Sequence, residues 1–246
     1  MRQTRSKLLV HWTGKDIGLT HPLSEPQRQS YVARLESILG SGFWMNKPEF
    51  AESLLGYDLT TYGLQPAMTC FTEIRLSQAR QHAHQYGLLG VGVERDFVLD
   101  RTGGPVHYVR NRPNECIVGS YSQLFKYLNN HRAETKEGEN PVGVLFMLMS
   151  FLKPMSELTN EEDHQFLDEQ EWRIVQNDRI KKDHIARQPG DRPVALLPIT
   201  HHEVSVIIFP DRDTVNRAIV SDFFKDWLSE RVIPPTITCL EDVESF

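Results

Sequence analysis

The sequence predicts a mixed α+β fold, a single domain over residues 1–246 built on a central, largely antiparallel sheet flanked by helices. Three observations predict it. Short apolar, β-branched runs recur along the chain (LLVHW, AMTCFTEI, EWRIV, HHEVSVIIFP) and read as buried strands. Amphipathic stretches separate some of them, and the two kinds of segment lack the regular alternation of a doubly wound sheet. No internal repeat or linker divides the chain.

Taken in order, LLVHW is a strand closed by Thr13-Gly14, and QRQSYVARLESILGSG is a helix with Tyr31, Leu35, Ile38 and Leu39 on one face, stopped by Gly40 and Gly42. FWM reads as a short strand, and PEFAESLLGY as a helix with Pro48 near its start. AMTCFTEI is strand-like. LSQARQHAHQYG is a helix with Ser77 as N-cap and Gly87 as stop. LGVGVERDFVLD and GPVHYVRN read as two strands joined by a turn at Gly103-Gly104. SYSQLFKYLNNH sets Tyr121, Leu124, Phe125 and Leu128 on one helical face, and a charged loop, Ala133 to Asn140, leads into the apolar run Val142 to Leu152, a buried helix. EWRIVQN, PVALLPI and HHEVSVIIFP are strands. TVNRAIVSDFFKDWLSER is one helix with Val215, Ile219, Phe223 and Trp227 on one side, and TITCLEDV is a closing strand.

Composition narrows the function classes. The apolar run at 142–152 is too short for a membrane span, and Leu8 to Val10 is too short for a secretory core, so a cytoplasmic location is expected with no membrane partner. Cys70, Cys116 and Cys239 are widely spaced and odd in number, which suggests neither a disulfide framework nor a zinc knuckle. A net charge of −6 disfavours nucleic acid as the main ligand. RIKKDHIAR reads as a solvated loop.

Metal and nucleophile signatures are equally sparse. His82 and His84 lie two apart on a helix, which turns them about 200° away from each other. His201-His202 face opposite sides if they lie on a strand. There is no HExxH, GxSxG or GxxxxGK[ST], so no metal site is expected.

One constellation passes this filter. His11 and Thr13 alternate on the first strand and share a side of it, and Glu169 and Glu171 share a face of the extended EQEWRIV segment. A histidine, a hydroxyl and paired carboxylates are what cleavage of a glycosidic bond needs, because an oxocarbenium-like transition state wants a fixed negative charge beside it. The same residues have an ordinary reading, as a hydrogen-bonded core histidine and a salt-bridged strand entry.

The block MTCFTEIRLSQARQHAHQYGLLGVGVERDFVLDRTGGPVHYVRN, with HWTG before it and DEQEWRIV after it, resembles the AbiGi family of abortive phage-infection proteins. The resemblance covers most of residues 8 to 176 and implies phage defence, with antitoxins acting beside a cognate toxin or defence-system partner. The three-strand pattern is also similar to ADP-ribosyltransferase-like folds, which implies NAD as cofactor and an ADP-ribosyltransferase or NAD glycohydrolase activity. On that likeness His11 holds the nicotinamide ribose or phosphate, with Thr13 beside it, and Thr72 supports the pocket. Glu171 stabilises the oxocarbenium, Glu169 orients the acceptor, and Tyr86 or Trp12 stacks on nicotinamide. The sequence thus carries two expectations, an NAD-consuming defence enzyme and a non-catalytic antitoxin.

Overall fold

The computed structural model describes residues 7–46, 66–73, 78–109, 116–131, 141–154, 170–176, 186–187 and 195–243. The first strand, β1 (Leu8–Thr13), leads to helix α1 (Glu25–Ser41), strand β2 (Phe43–Met45) and strand β3 (Met68–Thr72). Helix α2 (Ala79–Tyr86) carries the chain into β4 (Leu89–Glu94), followed by α3 (Arg95–Asp100), β5 (Gly104–Pro105) and β6 (His107–Val109). Two helices, α4 (Cys116–Asn130) and α5 (Pro141–Met149), precede β7 (Leu152–Pro154). The remainder runs β8 (Glu171–Val175), β9 (Ala186–Arg187), β10 (Ala195–Leu197), β11 (Val204–Phe209), α6 (Arg212–Val220), α7 (Asp222–Ser229), β12 (Thr236–Cys239) and α8 (Leu240–Val243). The predicted helix at PEFAESLLGY and the predicted loop at 133–140 lie outside the described residues.

The fold is mixed α+β, as its sequence predicts. Seven strands form one sheet in the order β12-β11-β4-β1-β3-β8-β5, with every described pairing antiparallel except β11 with β12. Smaller sheets join β2, β10 and β9, and β6 with β7.

The strand LGVGVE shows how sequence dictates packing. Leu89, Val91 and Val93 are fully buried on one face. On the other face, a side chain at Gly90 would meet the Trp12 ring at 2.9 Å, and one at Gly92 would meet Val206 Cγ1 at 2.3 Å. Glycine at alternate positions therefore lets Trp12 and Val206 lie flat on β4. Helix α1 covers the opposite face of β1: Tyr31, Leu35, Ile38 and Leu39 are all buried, and the Tyr31 hydroxyl sits between the carbonyls of Gly14 (3.0 Å) and Gly18 (2.7 Å). A second hydrophobic cluster, separate from the main core, brings Val118 and Phe125 of α4 against Val142, Leu145 and Phe146 of α5.

Four expectations change. RDFVLD, predicted as strand, is α3, because the pairing of β4 with β1 ends at Leu8 opposite Glu94 and that with β11 at Val204 opposite Val93, so no partner strand continues beside it. The strand after Gly103 pairs with β8, and no hairpin with β4 forms. The single long helix near the carboxyl end is two helices: Ser221 is extended (φ −64°, ψ 132°), and its hydroxyl accepts from Phe224 N. That break resets the helical phase, burying Ala218, Phe224 and Trp227 while Ile219 and Phe223 stay exposed. TITCLEDV ends as α8 after four strand residues.

Candidate functional site

The CFTE and EWRIV segments are adjacent strands, β3 and β8, with Thr72 opposite Glu171, Phe71 opposite Trp172 and Cys70 opposite Arg173. Cross-strand partners share a face, and neighbours along a strand do not. Thr72, Glu171, Cys70 and Arg173 therefore occupy one face of the sheet. Val10 pairs with Thr72, which brings Trp12 to that same face and sends His11 and Thr13 to the other. Two contacts agree with this register: the His11 ring lies 5.1 Å from that of Phe43 and 5.9 Å from that of Phe71, and Arg34 Nη1 of α1 donates to Thr13 Oγ1 at 3.1 Å.

His11 and Glu171 thus project from opposite faces of one sheet. The structure brings Thr72 beside Glu171, keeps His11 with Thr13, and does not unite the two groups. Tyr86 is partly buried against the main core at the end of α2, and Glu169 lies outside the described residues. Trp12 is buried with its indole against Gly90, and its Nε1 has no hydrogen-bond partner among the described residues.

Glu171 is only 5% exposed, and both of its oxygens are occupied. Arg173 Nε donates to Oε1 at 2.6 Å, while Lys153 Nζ reaches Oε2 at 2.7 Å and Arg173 Nη2 reaches the same oxygen at 3.3 Å. Burial by itself would raise the Glu171 pKa. The positive charges of Arg173 and Lys153, with hydrogen bonds from Arg173 and Cys70, outweigh it and hold the group at about 2. Burial, and then the Glu171 charge, push the Cys70 thiol well above its ordinary range, so it is no thiolate nucleophile.

The cluster also ties separate parts of the chain together. Arg173 Nη1 donates to the carbonyls of Ser150 and, at 3.3 Å, Leu152, just beyond α5. Glu171 N donates to the Tyr108 hydroxyl at 2.8 Å. On the opposite face of β8, Trp172 Nε1 donates to Glu73 at 3.1 Å, and Arg95 pairs with the same carboxylate at 2.7 Å while lying 5.2 Å from the centre of the Trp172 ring. The motif residues bond to one another and to Lys153, Tyr108, Arg95 and the carbonyls of Ser150 and Leu152. Sequence reasoning missed Lys153, Tyr108 and Arg95, and held Arg173 only within the salt-bridged reading of the strand entry. Only Arg173 carried a local signal, being two residues from Glu171 on the same strand face.

His11 is half-buried, with its ring held among Phe43 and Phe71 and its Nδ1 2.9 Å from the Cys70 carbonyl. Burial lowers its pKa, opposed by that hydrogen bond and assisted by the Arg34 charge. The folded state therefore resists a proton that the unfolded chain accepts once pH falls below the ordinary imidazole value of 6.5. The His11 contribution to stability is present above that pH and is lost as pH falls from there toward the lowered folded value. Urea unfolding at pH 7.5 and 5.5 should show the loss, and His11→Gln should lessen it; an unchanged pH slope in the variant would contradict this.

A shallow hollow of about 400 Å³ is lined by Asp16, Ile17, Pro26, Gln27, Ser30 and Arg34. Its only charged lining residues, Arg34 and Asp16, pair at 2.7 Å, and none of the described predicted site residues lines it. His201 and His202 lie in a turn with their rings 3.9 Å apart, and among the described residues no three His, Cys, Asp or Glu side chains gather to hold a metal. No helix among them is long and apolar enough to cross a membrane.

A family model described as "Putative abortive phage resistance protein AbiGi, antitoxin" matches residues 60–192, more than half of the 246-residue chain. The chain belongs to the AbiGi family. The AbiGi match takes in β3 through β9, including the Cys70, Glu171 and Arg173 cluster, and begins after β1, so His11, Trp12 and Thr13 fall outside it. No curated protein and no solved structure matches the chain.

Proposed function

We propose that this AbiGi chain acts in abortive phage resistance as a non-catalytic antitoxin that binds a cognate toxin protein. One observation carries the reading: the Glu171 carboxylate, on which NAD chemistry would depend, is buried and neutralised by Arg173 and Lys153. A carboxylate that stabilises an oxocarbenium has to present its charge to substrate, and a general base needs a pKa near the working pH. Glu171 meets neither condition. The antitoxin description of the family supports the same reading.

The test pairs this chain with the product of the neighbouring reading frame. Expression of the neighbour alone should arrest growth, and co-expression should restore it, with the two proteins eluting as one complex. Incubation of the purified chain with NAD should release nicotinamide no faster than buffer does. Release above background, or growth arrest that co-expression fails to relieve, would overturn the proposal.

A further inference from the structure

Building on the antitoxin reading, we propose that the α4–α5 helix pair is the toxin-docking surface, receiving an uncharged apolar face of the toxin on Val144 and Leu148. The α5 sequence, PVGVLFMLM, contains no charged or hydrogen-bonding side chain. Val142, Leu145, Phe146 and Met149 are buried, whereas Val144 and Leu148, one turn apart and turned away from them, are 47% and 51% exposed. A helix that is apolar on every side is ordinarily enclosed on every side. Helix α4 repeats the pattern, with Ile117, Leu124 and Tyr127 exposed around its buried Phe125.

Charge decides the kind of occupant. Lys126 is the single charged residue in the two helices, in a chain that is 24% charged. A helix that docks on an anionic membrane or a nucleic acid carries lysine and arginine on its own polar face, and these two helices offer only Lys126. The centre of a protein interface is where charge is depleted and aromatic and apolar side chains gather.

Location decides which exposed apolar set is chosen. Both helices lie inside the family match at residues 60–192, whereas Ile219, Val220 and Phe223, and the pair Val232 and Ile233, lie outside it. A surface that serves the antitoxin role belongs to the part of the chain the family shares. The ion cluster then gains a purpose: Arg173 grips the carbonyls of Ser150 and Leu152, and Glu171 holds Lys153, so β8 fixes the end of α5 and presents the pair ready-formed.

The experiment uses the full chain, with the neighbouring reading frame's product as probe. Isothermal titration compares wild type, the double variant Val144→Glu/Leu148→Glu, and Val220→Glu as an exposed control outside the match. Wild type and Val220→Glu should bind alike, and the double variant at least about tenfold more weakly, with its melting temperature unchanged. Binding by wild type and double variant alike removes the docking surface and leaves the antitoxin reading standing; failure of wild type to bind removes both. Should wild type alone be a dimer that the double variant dissolves, a second copy covers the face. A melting temperature lowered by several degrees would mean that the face is packed within the chain. Either of these last two results overturns the proposal.

Discussion

Glu171→Gln is expected to destabilise the fold by about 3–5 kcal/mol, because it leaves Arg173 and Lys153 as buried cations with no countercharge. The amide is nearly isosteric, so the loss is electrostatic. One amide oxygen can still accept a hydrogen bond, but it cannot balance two positive charges that are 1% and 6% exposed. Urea unfolding at neutral pH should show the midpoint falling with an unchanged slope. A variant as stable as wild type would mean that the cluster does not hold β8 to β7.

The pH dependence gives a second reading of the same cluster. Glu171 has its folded pKa lowered from 4.5 to about 2, so its stabilisation is complete above the unfolded value and is lost as pH falls between those two values. A shift of that size corresponds to about 3 kcal/mol, in line with the cost of breaking a buried pair. Glu171→Gln should remove this part of the acid-unfolding slope. Replacing the three charges together, as Glu171→Leu, Arg173→Met and Lys153→Met, should recover much of the lost stability, since a buried ion cluster and a well-packed apolar one are often close in energy. Recovery of that kind would show that the three charges contribute no more to folding than well-packed apolar side chains do in the same place.

Much of this was legible in the sequence, and the limits have physical causes. The strand parity of His11 with Thr13 follows from the two-residue period, and the two do share a face. Whether that face is also the Glu171 face depends on the register between β1, β3 and β8, where a slip of one residue exchanges every side chain. Register is set by packing across the sheet and leaves no mark in either strand alone. Lys153 is of the same kind: it lies 18 residues from Glu171 and meets it only once β7 is placed. The Ser221 break was closer to legible, since a serine that can cap a following helix competes with continuing the helix through it. Helix α3 follows from where the partner strands of β4 stop pairing with it, which no window of RDFVLD contains.

Gly87→Ala is expected to cost about 3 kcal/mol or more, while Gly40→Ala in the same chain should be neutral or slightly stabilising. Gly87 ends α2, its N–H bonded to the Ala83 carbonyl at 2.9 Å, and it adopts φ +126°, a conformation that side chains rarely tolerate. An added Cβ would stand 2.2 Å from the Thr13 carbonyl and 2.6 Å from Gly14 N. Both obstacles are backbone, pinned by β1 and by the Tyr31 hydroxyl on Gly14, so the clash can be relieved only by moving the α2–β4 junction away from β1. Gly40 lies inside α1, and its Cβ would touch the Phe223 ring at an ordinary 3.5 Å. There alanine reduces the freedom of the unfolded chain without strain, worth about 0.4–1 kcal/mol. For a chain of this size, about 2–4 °C of melting temperature corresponds to each kcal/mol, so Gly87→Ala should lower the transition by several degrees while Gly40→Ala leaves it unchanged or raises it slightly. Equal stability of Gly87→Ala and wild type would show that α2 does not close onto the Thr13-Gly14 turn.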